Sequence, residues 1–123
     1  NKSLRSKDIP KRQQIYEACR AAIIPEIQKV KRNVIYGQTK CALSGATLLK
    51  GQTEIDHYRL KFSEMFKLWL KKHDIDKIRV YRDRQQWRFE DHLMKLDFVR
   101  FHNQNCHLRA VTKEANRKRE TNK

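Results

Sequence analysis

The residues of this chain best suited to chemistry are Asp56-His57, preceded by Glu54-Ile55, and a second group downstream that begins at His107-Leu108 and reaches Asn116 nine positions after His107. A carboxylate and a carboxamide are hard oxygen ligands, suited to Mg²⁺ or Mn²⁺, and neither fills the coordination shell, so positions remain for water and phosphate oxygens. An imidazole with an ordinary pKa of about 6.5 is mostly neutral near pH 7 and can accept a proton from water. Together they make a one-metal, one-base hydrolytic site, provided the fold brings the two distant groups together.

Composition points to the partner. Against 14 Asp and Glu stand 29 Lys and Arg, a formal net charge of +15, with a pI near 10.1. Such an excess of positive charge suits a polyanion, and nucleic acid is the leading candidate. No apolar run is long enough to cross a bilayer, and the N-terminal residues lack the order of a secretory signal, so no membrane association is expected. Three cysteines, Cys19, Cys41 and Cys106, form no disulfide framework and fit a reducing compartment. A cytoplasmic location is the resulting expectation.

The 123 residues fit a single domain, divided here into an N-terminal helical arm (1–36), a core (37–119) and a basic tail (120–123). Asp8 and Pro10 read as a helix start. Ile15, Cys19, Ile23, Ile27, Val30 and Val34 then recur at helical spacing, predicting one long amphipathic helix with Pro25 as its weak point. All three glycines, Gly37, Gly45 and Gly51, fall in the next stretch, where Thr39–Leu43 and Thr53–His57 suggest a small irregular hairpin. Cys41-Ala42-Leu43-Ser44-Gly45 has the outline of half a zinc knuckle with serine in place of its second cysteine. No cysteine pair downstream could complete it, so structural zinc is rejected and Cys41 is read as a small buried apolar residue.

Ser63 is a candidate helix cap ahead of Met65, Phe66, Trp69 and Leu70, which with Phe62 share one helical face. Residues 74–84 read as a connector or a short strand. From Gln85 to His102 the dense apolar residues predict a buried helix, and 102–105 a polar loop leading to Cys106 and His107. A final helix is expected from about Thr112, capped by that hydroxyl, to about Arg119.

Asp56-His57 at a strand end, then His107-Leu108, Asn116 on a helix and basic Arg119 three residues later, resemble the signature of the HNH endonucleases. The resemblance covers roughly 41–119 if the helices between about 59 and 103 are counted as an insertion. It implies an α+β, mostly helical chain built on a ββα-metal motif, with inserted helices between the first strand and the final helix. It also implies DNA phosphodiester hydrolysis with one divalent cation, most simply Mg²⁺. Asp56 and Asn116 would be the metal ligands and His57 the general base. His107 stands where most members carry asparagine, and would either brace the loop or join the metal shell. Arg59, Lys61, Arg109, Arg117, Lys118 and Arg119 flank these positions as candidate phosphate contacts, which position a duplex without reading its sequence. An inactive DNA-binding module of the same fold, or a basic RNA-associated protein, are the alternatives.

Overall fold

The computed structural model describes residues 9–121, with side chains as far as Arg119; Asp8 and the last two tail positions lie outside the described residues. The fold is α+β: helices α1 (Lys11–Ala22), α2 (Ile24–Arg32), α3 (Phe62–Leu70), α4 (His92–Asn105) and α5 (Lys113–Thr121), with strands β1 (Thr53–Tyr58), β2 (Val80–Asp83), β3 (Gln86–Phe89) and β4 (His107–Thr112). The strands form two antiparallel pairs, β1 with β4 and β2 with β3. Among the described residues, no helix is long and apolar enough to cross a membrane. The chain divides into two compact units. One holds the described residues up to Ile24 together with Phe62–Asn105; the other holds Pro25–Lys61 and the segment from Cys106 onward.

In the first unit, α1 buries Ile15, Ala18, Cys19 and Ala22, the three- and four-residue spacing of one helical face. The single long N-terminal helix anticipated above is broken at Ile23, where α1 ends. Pro25 explains the break: it lacks the N–H an uninterrupted helix would use and disfavours helical backbone at the residue before it, yet it is tolerated in the first turn of α2. Helix α3 starts one residue before the expected cap, so Ser63 lies within its first turn. It buries Phe62, Met65, Phe66 and Trp69.

These aromatic rings meet edge to face, Trp69 with Phe98 at 5.0 Å and Tyr16 with Phe66 at 5.0 Å between centroids. Such packing contributes beyond the area buried. The Trp69 indole N–H donates to Asp97 Oδ2 at 2.9 Å, satisfying the polar edge of a fully buried ring.

The expected helix over Gln85–His102 is two elements. Trp87 and Phe89 are buried from strand β3 and alternate with exposed Gln86 and Arg88, a period of two rather than 3.6. Arg84 and Gln85 link β2 to β3 in a two-residue turn, and Arg84 has φ 59°. That left-handed backbone is usually supplied by glycine or asparagine, so the turn carried no recognisable signal. The anticipated polar loop at 102–105 is the last turn of α4, where the Asn105 side chain donates to the Phe101 carbonyl at 2.8 Å.

In the second unit, β1 and β4 pair over six residues, with Thr53 opposite Thr112, Asp56 opposite Arg109 and Tyr58 opposite His107. Strand β4 occupies what appeared in sequence only as an approach to the final helix. The hairpin expected between Thr39–Leu43 and Thr53–His57 does not form: Lys40 makes an antiparallel bridge with Thr47, with Gly45 at φ 78° in the turn, and β1 pairs with β4 instead. Thr112 Oγ1 accepts the Ala115 N–H at 3.1 Å, so the hydroxyl that ends β4 also caps α5. Helix α5 continues through Glu120 and Thr121, the first two positions assigned to the tail.

Candidate functional site

A strand presents alternate residues to the same side, and residues directly opposite in an antiparallel pair share a side. One side of the β1–β4 pair therefore carries Glu54, Asp56, Tyr58, His107, Arg109 and Val111. Helix α5 brings Asn116 and Arg119 to this side.

Asp56 is only 6% exposed and bound by two guanidinium groups. Arg109 Nε donates to its Oδ2 at 3.0 Å, and Arg119 Nη2 to its Oδ1 at 2.6 Å. The same Arg119 Nη2 donates to Asn116 Oδ1 at 3.1 Å. Asn116 in turn donates from Nδ2 to Glu54 Oε1 at 3.0 Å. Glu54 thus fixes the carboxamide with its oxygen turned towards Asp56. The oxygens of Asp56 and Asn116, 60 residues apart in sequence, converge on a single positively charged nitrogen.

That convergence is the test of whether a hard cation fits. Mg²⁺ is held at about 2.0–2.1 Å by one or two protein oxygens and keeps several waters, so a carboxylate and a carboxamide aimed at one point are an adequate protein share of its shell. Among the described residues, no three His, Cys, Asp or Glu side chains group as a metal cluster, and a two-oxygen site of this kind needs none. Arg119 has to leave Asp56 before a cation can take its place. Its Nε is buried without a hydrogen-bond partner, a deficit that costs about 1–3 kcal/mol and weakens its hold.

The other expected site residues are distributed as follows. His57 is half-buried in β1, opposite Leu108. Strand alternation places it on the side of β1 opposite Asp56, so the two residues flank the strand. His107 is exposed and shares the side of Asp56, its ring 5.6 Å from that of Tyr58. Of the six candidate phosphate contacts, Arg109 and Arg119 are engaged with Asp56, and Arg109 also lies over the Tyr58 ring at 4.4 Å. Arg59, Arg117 and Lys118 are exposed and Lys61 half-exposed. Arg59 follows β1 with φ 71° and stands over the Tyr58 ring at 5.7 Å. Glu54 was given no role from sequence. Its position two residues before Asp56, hence on the same strand side, is the signal that could have revealed it.

Cys41 corrects the reading of a merely apolar residue. It is 3% exposed and packs with Leu48 and Val111, with Val34, Ala110 and Ala115 around them. Its sulfur also accepts the N–H groups of Thr112 at 3.2 Å, Ser44 at 3.3 Å and Leu43 at 3.4 Å. Burial pushes the thiol up, but hydrogen bonds from the Ser44 side chain and from these three backbone groups outweigh it and bring the pKa down from 9.0 to about 6. Cys106, without such donors, is pushed up by burial to about 11.

Because the folded pKa of Cys41 lies below the unfolded one, its thiolate stabilises the protein fully above about pH 9. That contribution is lost as pH falls towards 6. The unfolding free-energy gap between wild type and Cys41→Ala, from urea titrations under reducing conditions, is accordingly wider at pH 9 than at pH 6. Equal gaps would show the sulfur to be un-ionised throughout.

No protein-family model matches this chain, and neither a curated protein sequence nor a solved structure does.

Proposed function

We propose that the chain is a metal-dependent endonuclease of the HNH type, hydrolysing phosphodiester bonds in duplex DNA. The observation that carries the reading is the convergence of Asp56 Oδ1 and Asn116 Oδ1 on one cationic nitrogen. The pairing of β1 with β4, and the helix α5 that follows β4 at once, support this reading.

In this reading Asp56 and Asn116 hold the cation, and Glu54 keeps the Asn116 oxygen turned inward. A bound Mg²⁺ or Mn²⁺ would offset the charge developing on the scissile phosphate and on the departing 3′ oxygen. His57 accepts the proton of the attacking water as the new P–O bond forms and the bond to the 3′ oxygen breaks. Among the described residues no further strand lies beside β1, so a phosphodiester laid along that edge meets Asp56 from one side of the strand and His57 from the other. Exposed Arg59, Arg117 and Lys118, with Lys61, neutralise flanking phosphates, which makes binding strongly salt-dependent. His107 braces the end of β4 beside Tyr58.

Supercoiled plasmid incubated with the protein tests the reading. Conversion to the open-circular form with Mg²⁺ or Mn²⁺, and none in EDTA, is expected. Absence of nicking with either metal sinks it.

The saturation of Asp56 by two arginines favours a second reading, a DNA-binding module of this fold without catalysis. Retention of the plasmid on a gel, intact under every metal condition, would select it.

A further inference from the structure

Arg119 stands where the proposed cation would stand. Its Nη2 is shared by the two oxygens assigned as metal ligands, at 2.6 Å from Asp56 and 3.1 Å from Asn116. Arg109 holds the other carboxylate oxygen, so Asp56 is already paired with two positive charges. Adding a divalent cation without removing an arginine would place like charges in contact, so metal and Arg119 exclude one another by both position and charge.

Three features show which arginine gives way. Arg109 lies on a strand fixed by its register with β1 and is held as well by the face of Tyr58. Arg119 lies in the final helix, three residues after Asn116, on a long side chain that can swing without moving Asn116. Its Nε is the buried guanidinium nitrogen without a partner, so the present position leaves part of its hydrogen-bonding capacity unused. A DNA phosphate offers that fork two oxygens in bidentate geometry, which Asp56 and Asn116, each giving it one oxygen, do not.

We propose that Arg119 is an internal competitor for the metal: it holds the Asp56–Asn116 seat in the absence of nucleic acid and yields it when a phosphate draws the guanidinium away. The inference rests on the reading of Asp56 and Asn116 as metal ligands and adds a regulation to it. Cation loading becomes coupled to substrate, so the same arginine serves first as a stand-in for the metal and then as a phosphate contact.

Mn²⁺ binding to the full chain without DNA tests it independently of cleavage, using the electron paramagnetic resonance signal of free Mn²⁺. Wild type, Arg119→Gln, Arg119→Met and Asp56→Asn are compared, each checked for folding by circular dichroism. Methionine preserves much of the apolar stem and guards against a packing defect in the glutamine variant. Removing the competing charge is expected to tighten Mn²⁺ binding by about tenfold or more in both Arg119 variants. Binding in Asp56→Asn should fall below wild type. Binding in the Arg119 variants equal to or weaker than wild type, with Asp56→Asn still impaired, overturns the competition and leaves the metal site standing. Binding in no variant, or binding indifferent to Asp56, overturns the metal site and the competition with it.

Discussion

On the proposed nuclease reading, His57→Ala is expected to reduce metal-dependent nicking by roughly 10²–10⁴-fold, the range over which a positioned general base contributes, and to leave Mn²⁺ binding and retention of DNA close to wild type. The separation of effects follows from placement. His57 lies on the other side of β1 from Asp56 and Asn116, so its loss leaves the two oxygens and their arginine partners untouched. Half-buried within a strand, it should cost about 1 kcal/mol of stability when truncated. Nicking at the wild-type rate would deny it the role of base. The imidazole to try next would be His107, which shares the side of Asp56.

The second large effect concerns stability. Asp56→Ala removes the carboxylate that pairs with both Arg109 and Arg119 and leaves two guanidinium groups without it in a site that is mostly shielded from water. Breaking a buried pair on one side costs about 3–5 kcal/mol; since each arginine keeps 23% of its side chain exposed, about 2–3 kcal/mol is the expected loss here. Urea unfolding of wild type and Asp56→Ala measures it, and a change below about 0.5 kcal/mol would show that water replaces the carboxylate without cost. Asp56→Asn, which keeps the shape and one acceptor oxygen, should lose less. A carboxylate serving only as a metal ligand would behave in the opposite sense, because its removal normally relieves strain in the free protein. In the proposed reading Asp56 carries both burdens.

What was legible in the sequence was local and periodic. The apolar face of α1 up to Ile23, the aromatic face of α3 and the Thr112 cap of α5 all follow from spacings of three or four residues or from one hydroxyl at a helix start. The β1 strand was legible as well, because Thr53–His57 is partly β-branched and follows the turn at Lys50-Gly51. The failures have separate causes. Strand β3 was hidden because the turn before it uses Arg84 in a conformation for which sequence offers glycine or asparagine as the usual sign. The helix break at Ile23 was displaced from Pro25 because proline acts on the turn before itself. Strand β4 has no alternation of its own strong enough to announce it and is defined by its partner.

For the candidate site, the residue types were visible and the convergence was not. Asp56 and Asn116 could be named, but nothing local states that Arg119 would lie between them, or that Glu54 would orient the carboxamide. These are contacts across 62 and 63 residues, set by how α5 packs on the β1–β4 pair. The net charge of +15 was equally mute about assignment. It predicted arginines facing phosphate, whereas two of them face the chain's own carboxylate.

The long excursion between β1 and β4 has a consequence for how the site can assemble. Closing two strands separated by so much chain would cost about 3 kcal/mol in loop entropy if the intervening segment were slack. It is not slack at its ends: within the first unit the Phe62 and His102 rings lie 6.4 Å apart, so the excursion returns close to where it began. Once those contacts form, β1 and β4 are joined in effect by a short tether, and about half of that entropic cost is removed before the strands meet. The helices inserted into the strand pair therefore act as a clasp that makes a distant pairing kinetically local.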